Sequence, residues 1–154
     1  MKIFLLTRKQ FPPITLKEAW DFFSDPNNLA LITPAKLAFK IISNSGEKMY
    51  AGQRIHYRIT IFPGVRVHWI TEITYVNEPS VFIDEQRSGP YALWYHVHRF
   101  KIVSGGVEMV DELKYAIPLG WLGELVHFLF VKKTVNEIFD YRYATLEKRF
   151  GSVS

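Results

Sequence analysis

Cysteine is absent from this chain of 154 residues. Its absence excludes disulfide bonds, thiolate metal ligands and a cysteine nucleophile, and it argues against a disulfide-stabilised secreted scaffold. Long apolar runs are also lacking: the segment 1–8 is too short for a signal peptide, and nowhere do about 20 apolar residues follow one another. These absences predict a soluble, cytoplasmic protein without stable membrane insertion.

A concentration of positive charge is lacking as well. The net charge is +4, and the Lys and Arg residues are scattered along the chain. Pairs such as Lys132-Lys133 and Lys148-Arg149 are typical of a solvated helix face. Neither a glycine-rich phosphate loop nor a Gly-x-Ser-x-Gly nucleophile elbow occurs. We therefore expect no nucleic-acid partner, no cofactor and no bound metal, while the oligomeric state stays open.

Apolar residues, in contrast, make up 48% of the chain and aromatic residues 16%, which is enough for one domain with a substantial core. Residues 2–11 alternate like a first strand. Thr15 with Glu18 three residues later is a capping-box signature for a short helix, and Asp25-Pro26 starts a second one. The N-terminal part therefore reads as one strand followed by two short helices.

Residues 37–117 change to an apolar period of two. Turn signals divide this region into six strands, so that the predicted total is seven, mostly antiparallel. These signals are Asn44-Ser45-Gly46, Pro63-Gly64, Asn77-Glu78-Pro79, Gly89-Pro90 and Gly105-Gly106. After Pro118-Leu119-Gly120 the period returns to 3.6 and predicts one helix of about 27 residues. Its apolar stripe, which we expect to lie across the sheet, begins with Leu122, Leu125, Val126, Leu129 and Phe130.

This β-α-α-β6-α order resembles the helix-grip fold of the START and Bet v 1-like (SRPBCC) superfamily, and more narrowly its bacterial group labelled cyclase/dehydrase-like. The segments that carry the resemblance are 20–29, 32–34, 84–86, 89–91 and 139–142, together with Trp94, His96, His98, Phe100, Met109, Asp111, Tyr115, Pro118 and Gly120. The resemblance spans nearly the whole chain. It implies an α+β domain over residues 1–151, in which a curved seven-stranded antiparallel sheet wraps a long C-terminal helix and leaves an apolar cavity. Residues 152–154 are expected to be a disordered tail.

Alternation along the strands predicts which side chains face that cavity. With two-residue turns at Gly89-Pro90 and Gly105-Gly106, Asp84 and Gln86 point away from the cavity. Four polar side chains point into it, namely Glu85, His96, His98 and Asp111. Apolar inward positions on the third and fourth strands include Ile55, Tyr57, Ile59, Ile61, Val67, Trp69, Ile73 and Tyr75. The prediction is a polar patch on an apolar wall.

Twelve residues are candidates for ligand contact: Trp69, Glu85, Trp94, His96, His98, Phe100, Met109, Asp111, Tyr115, Leu129, Phe139 and Arg142. Arg142 either clamps a ligand carboxylate or pairs with Asp21, Asp140 or Glu85. His127 lies outside the main apolar stripe and is expected at the surface.

The two histidines admit four interpretations. They are hydrogen-bonded supports of the hairpin, or they orient a bound ligand. In the third interpretation a histidine beside a carboxylate is a general base, with His96, His98, Asp111 and Glu85 as the catalytic candidates. In the fourth, His-x-His and two carboxylates bind zinc or iron, although this spacing is common.

The function predicted from these observations is binding of a small hydrophobic or amphipathic molecule, such as a lipid, an isoprenoid or a polyketide-like compound, in an internal cavity, with no catalytic residue assigned. One alternative is an enzyme of the polyketide-cyclase or dehydratase type with a cavity histidine as base. Another is a protein-interaction module without ligand, which predicts a filled core and an exposed apolar patch, with Phe62-Pro63-Gly64-Val65 as a candidate.

Overall fold

The sheet dominates the protein in its computed structural model, which describes residues 1–43, 46 and 48–153, without the side chain of Phe62. Seven strands pair in the order β1-β7-β6-β5-β4-β3-β2, and every neighbouring pair is antiparallel. Their bounds are Phe4–Gln10 (β1), Lys40–Ser43 (β2), Arg54–Phe62 (β3), Val65–Asn77 (β4), Val81–Ser88 (β5), Leu93–Val103 (β6) and Gly106–Ala116 (β7). The predicted seven-stranded antiparallel sheet is confirmed; residues 44 and 45 of the first predicted turn lie outside the described residues.

The helical segment after β1 forms as its capping signals predict. In α1 (Leu16–Phe23) the hydroxyl of Thr15 accepts from the backbone of Glu18, and the Glu18 carboxylate accepts from the Thr15 backbone at 2.8 Å. The second predicted helix is a 3-10 helix at Pro26–Ala30, whose first turn is capped by the Asp25 carboxylate. A further 3-10 turn covers Ala35–Leu37. Together these short helices lie between the first strand and the rest of the sheet in sequence.

The C-terminal helix is continuous from residue 120 to 150, as predicted, but it contains a wider turn. An α-helix at Gly120–Val126 (α2) passes through a π-helical turn at His127–Val131 into α3 (Lys132–Phe150). Its buried positions in α3 are Val135, Phe139, Arg142 and Leu146, spaced three or four apart. This face packs against the sheet and contributes to both hydrophobic clusters of the core.

The first half of this helix departs from the predicted stripe. The face turned to the protein contains Gly123 and His127, which are buried, and then Val131 and Val135. These positions recur at intervals of four, because a π turn holds more residues than an α turn. The expected inward stripe is therefore wrong in this half, where the following apolar side chains are exposed: Leu122, Leu125, Val126, Leu129 and Phe130.

Bulges in the sheet also alter single positions. The β4–β5 register shifts between Ile73 and Tyr75, so that Tyr75 is exposed and Val76 packs against the core. A bulge inserts one residue and reverses the faces beyond it. The prediction that Tyr75 faces inward is wrong for this reason.

The chain ends beside the first strand, where the backbone N–H of Val153 donates to the carbonyl of Phe11 at 2.8 Å. Of the predicted tail 152–154, Ser154 lies outside the described residues. Within the described ranges, no helix has the length and apolar character needed to cross a bilayer.

Candidate functional site

Five polar side chains from four elements meet in the interior of the protein. Asp84 comes from β5, His96 and His98 from β6, Asp111 from β7 and Arg142 from α3. We call these five residues the polar cluster. The antiparallel register brings them together because Asp84 lies opposite His96 and Asp111 lies opposite His98.

Each imidazole of the polar cluster lies between two carboxylates. His98 Nε2 is 2.7 Å from Asp84 Oδ2, and His98 Nδ1 is 3.1 Å from Asp111 Oδ1. His96 Nε2 is 3.1 Å from Asp111 Oδ1, and His96 Nδ1 is 3.5 Å from Asp84 Oδ2. The two ring centroids are 3.8 Å apart. All four ring nitrogens therefore face carboxylate oxygens.

Arg142 supplies the positive charge on the helix side. Its Nη2 donates to Asp111 Oδ1 at 3.0 Å, and its guanidinium lies 5.1 Å from the ring centroid of Phe23. Its Nε has no hydrogen-bond partner among the described residues. The predicted partners Asp21, Asp140 and Glu85 are wrong: Asp140 pairs with Arg8, Asp21 with Lys17 and Glu85 with Arg87.

Burial and the attraction of nearby positive groups shift the pKa values of the two carboxylates in opposite directions. Burial raises the pKa of Asp111, but the charge of Arg142 and the hydrogen bonds from both histidines leave it well below the ordinary value. Burial also opposes ionisation of Asp84, and the hydrogen bond from His98 with the nearby cations nevertheless lowers its pKa. Both carboxylates are therefore ionised at neutral pH.

The two histidines differ in their preference for a proton. Burial, and then the proximity of His98, lowers the pKa of His96 below its usual range. Burial lowers the pKa of His98 as well, but hydrogen bonds to Asp111 and Asp84 outweigh it and leave a net rise. Of the two imidazoles, His98 is the one that holds a proton more readily.

The structure exchanges the predicted positions of Asp84 and Glu85. Asp84 belongs to the polar cluster, while Glu85 lies opposite Tyr95 on the other face of the sheet, with its carboxylate 3.3 Å from Arg87. The cause is the turn after β5, whose loop is longer than the expected two residues and is bridged by the side chain of Gln86. Its amide donates to the carbonyl of Tyr91 at 2.7 Å and accepts from the Tyr91 N–H at 3.2 Å. A two-residue turn would pair Asp84 with Tyr95, whereas the structure pairs it with His96, and this shift of one residue reverses the parity of β5 relative to β6.

A cavity of about 150 Å³ lies against the polar cluster, and we call it the inner cavity. Asp84, His96, His98 and Arg142 line it on one side. Its other walls are mainly apolar: Phe22, Phe23, Pro26, Leu29, Ile32, Met49, Ile55, Tyr57, Ile73, Phe82, Trp94, Ile138 and Phe139. The cavity therefore provides the predicted space beside His96, whereas Met109 does not line it.

A second cavity of about 250 Å³, the outer cavity, adjoins the first. The two share five lining residues: Leu29, Thr33, Tyr57, Trp94 and Ile138. Trp69 also lines the outer cavity, and its buried Nε1 has no hydrogen-bond partner in the described part of the chain. Because Val126 and Phe130 both line this cavity and are exposed, it opens at the surface beside the C-terminal helix.

Three of the predicted ligand-contact residues, Phe100, Met109 and Tyr115, line neither the inner nor the outer cavity. Phe100 is buried in the core against Trp20 and Phe23, and Met109 is buried beside a narrow cleft between β1 and α3. The hydroxyl of Tyr115 lies 2.9 Å from His127 Nε2, and neither residue lines the inner or outer cavity.

His127 was expected at the surface and is instead buried, with its ring stacked on Phe4 at 3.4 Å between centroids. It occupies the inward face of the π turn, which the uniform helical period did not indicate. Leu129 is 54% exposed and lines neither cavity.

Several cavity residues escaped the sequence analysis. Leu29, Thr33 and Ile138 line both cavities, and Thr71 lines the inner one with its hydroxyl 3.1 Å from that of Tyr57. Thr71 lies between Trp69 and Ile73 in the alternation of β4, so the period of two predicts that it shares their inward face, although it is absent from the predicted ligand contacts. Leu29 and Thr33 lie on or beside the 3-10 helix, where no period reveals which side faces inward.

The alternative surface at 62–65 is described only in part. Val65 is 47% exposed, and the side chain of Phe62 lies outside the described part. A larger exposed apolar surface, which includes Trp121 and Phe128, covers the first half of the C-terminal helix.

Known structures share this architecture. Over 97% of both chains the protein is similar to TTHA0849 from Thermus thermophilus, with 17% identity and a TM-score of 0.69. The likeness to CV1439 from Chromobacterium violaceum covers 97% of this chain and 98% of that one, at 9% identity and a TM-score of 0.73. The similarity to Ara h 8.0201 covers 95% of this chain and 99% of that one, at 12% identity and a TM-score of 0.59.

No protein-family profile and no curated protein matches the sequence. At these identities the structural likeness shows the fold and nothing narrower. The protein has the helix-grip fold, in agreement with the resemblance noted in its sequence.

Proposed function

We propose that this protein binds a small, elongated and mostly apolar molecule, of the lipid, isoprenoid or polyketide-like kind, in the inner and outer cavities. The observation that carries this proposal is the pair of adjoining cavities, which share five lining residues and end at the polar cluster. Their volumes of about 150 and 250 Å³ together reach the range of small-molecule sites, which starts at roughly 300 Å³.

The walls favour an apolar body for this molecule. Tyr57, Trp69 and Trp94 form a continuous aromatic surface, with neighbouring ring centroids 5.7 and 5.1 Å apart. Burying an apolar chain against such a wall contributes about 25 cal/mol per Å² of apolar surface removed from water. A filled core, as the interaction-module alternative requires, would offer no such space.

The side of the inner cavity that is lined by the polar cluster favours a hydrogen-bonding group on the bound molecule. Arg142 keeps a free Nε–H among the described residues, and the polar cluster combines two carboxylates with two imidazoles. A buried polar group is costly without a partner. A ligand with one hydroxyl or carboxyl terminus supplies that partner, so we expect the molecule to bind with its polar end innermost.

The entrance lies where the 3-10 turns meet the C-terminal helix. Leu37 lies on one side of the outer cavity and Val126 and Phe130 on the other. An exposed ion pair between Lys36 and Glu137 joins the two sides. An apolar rim is suited to an apolar molecule, since the rim contacts the chain as it leaves water.

Fluorescence quenching tests this proposal. A medium-chain fatty acid with a terminal bromine quenches tryptophan on contact, and a Trp121→Phe background removes the exposed tryptophan of α2. We expect saturable quenching that falls by about half when Trp69→Phe or Trp94→Phe is added. Quenching unaffected by both substitutions would overturn the proposal.

A matched pair of substitutions tests the location. Leu29→Phe fills space between the two cavities, whereas Leu31→Phe adds the same volume at an exposed position two residues further on. We expect Leu29→Phe to weaken binding by about tenfold and Leu31→Phe to leave it unchanged, a difference of about 1.4 kcal/mol.

A further inference from the structure

We propose that Asp84, His96 and His98 bind one divalent transition-metal ion, with an open coordination position that faces the inner cavity. Each of the three residues offers one ligand atom, and these atoms all lie within 4.8 Å of one another. Asp84 Oδ2 faces His96 Nδ1 and His98 Nε2, which we take as the ligand atoms. Two imidazole nitrogens and one carboxylate oxygen form a donor set that suits Zn²⁺ or Fe²⁺.

The two distances from the Asp84 carboxylate to the imidazoles are close to those around a bound ion, and the ligand atoms of the three residues lie within 4.8 Å of one another. Ligand atoms around a tetrahedral ion with bonds near 2.0–2.1 Å are separated by roughly 3.3 Å. Asp84 Oδ2 is 3.5 Å from His96 Nδ1 and 2.7 Å from His98 Nε2. The first pair already has this separation, and the second needs to open by about half an ångström.

The opposite nitrogens of the two rings strengthen the assignment. His96 Nε2 and His98 Nδ1 both lie 3.1 Å from Asp111 Oδ1, and Arg142 balances the charge of that carboxylate. Metal-binding imidazoles usually donate their second N–H to a carboxylate, which sets the ring orientation. Here the Asp111 carboxylate accepts from the second nitrogen of both the His96 and the His98 ring.

Without an ion, the same arrangement leaves hydrogen bonds unmade. A neutral imidazole has one N–H donor and one bare nitrogen, while an ionised carboxylate only accepts. His96 faces Asp84 with one nitrogen and Asp111 with the other. If His96 is neutral, one of its nitrogens therefore opposes an acceptor, and an ion between that nitrogen and Asp84 removes the conflict.

Access to the ion comes from the inner cavity. Asp84, His96 and His98 all line it, so a water molecule or an oxygen of a bound molecule reaches the remaining coordination position from that side. Three protein ligands with one position left open is the arrangement of a reactive or ligand-exchanging site, whereas purely structural zinc sites use four protein ligands.

Calorimetric titration of untagged protein with Zn²⁺, after treatment with EDTA, measures the binding. We expect one ion per chain, with binding weakened at least tenfold by Asp84→Asn. Glu85→Gln is the matched control, because it removes the neighbouring carboxylate from the opposite face of the sheet. Equal affinity in Asp84→Asn and Glu85→Gln, or no saturable binding by the unaltered protein, would overturn the proposal.

Co²⁺ in place of Zn²⁺ provides a readout that does not depend on a variant folding. We expect visible absorption of low-symmetry, four- or five-coordinate Co²⁺ and large paramagnetic shifts of the His96 and His98 ring protons. Shifts confined to exposed His68 would contradict the site. Fatty-acid quenching in metal-free protein is measured in parallel, so that loss of the metal site and loss of the cavity function are distinguished.

Discussion

His98 Nε2 and Asp84 Oδ2 are 2.7 Å apart although the residue directly opposite Asp84 on β6 is His96. The contact therefore runs diagonally across the β5–β6 ladder and brings both histidines to one carboxylate. Diagonal neighbours on a sheet face lie within reach of long side chains. The polar cluster depends on this offset, and on Arg142 from the opposite layer.

Removing the cation of the polar cluster should be costly. In Arg142→Met, Asp111 keeps its charge at a site where it is almost out of contact with water, and we expect a loss of about 3–5 kcal/mol in the free energy of unfolding. Urea denaturation measures it. Arg99→Met breaks an exposed ion pair with Glu112 and should cost no more than about 1 kcal/mol. Similar losses in both variants would contradict the buried position of Arg142.

The orientation of the C-terminal helix is tested by two leucines. Leu146 is buried, and Leu146→Ala should destabilise the protein by about 2–5 kcal/mol. Leu129 is mostly exposed, and Leu129→Ala should change stability by less than about 0.5 kcal/mol. If Leu129→Ala proved as costly as Leu146→Ala, the π turn and the helix phase described above would be wrong.

His127 should make stability depend on acidity. Burial, and then the charges of Lys132 and Lys2, lower the pKa of His127. Two other groups face it: Glu124 lines the same surface cleft, and the hydroxyl of Tyr115 shares a hydrogen bond with the His127 ring. The unfolded chain therefore takes up a proton more readily than the folded one. The contribution of neutral His127 is complete above the ordinary histidine pKa of about 6.5 and is lost as the pH falls below it.

Thermal melts between about pH 8 and pH 5 check this, with His127→Gln as a variant that does not titrate. The difference in melting temperature between the unaltered protein and His127→Gln should become smaller as the pH falls. If this difference instead became larger as the pH falls, the folded protein would favour the charged form of His127.

The loop after β5 depends on the side chain of Gln86. Gln86→Ala removes two hydrogen bonds to the backbone of Tyr91 and should cost about 1–2 kcal/mol in the free energy of unfolding. Ser88→Ala, at an exposed position in the same segment, should be nearly neutral. Chemical denaturation of the two variants gives the comparison, and equal stability would mean that the loop does not depend on Gln86.

The sequence was sufficient for the overall architecture because most strands and α-helices keep their apolar period. The change of period at about residue 37 and again after Pro118 marks the limits of the six consecutive strands β2 to β7, and Thr15 with Glu18 marks the start of α1. Alternation also placed His96, His98 and Asp111 on one face, and the structure joins all three in the polar cluster.

Local shifts in register or helix phase account for several of the wrongly predicted positions. The loop held by Gln86 exchanged Asp84 with Glu85, the bulge after Ile73 exposed Tyr75, and the π turn moved Leu129 outward and His127 inward. Each irregularity changes by one residue which side chains of a strand or helix face inward. The amino-acid composition and the apolar period stay almost the same. Tertiary contacts decide where such shifts occur, and the sequence pattern does not record them.

Isotope-filtered NMR of a bound medium-chain fatty acid tests the central claim most directly, because it reports which side chains touch the ligand. We predict nuclear Overhauser contacts from the chain methylenes to Trp94 and Ile138, which line both cavities, with the carboxyl end nearest His96. Contacts confined to Trp121 and Phe128, on the exposed half of the C-terminal helix, would show that the apolar molecule binds the surface and would contradict binding in the cavities.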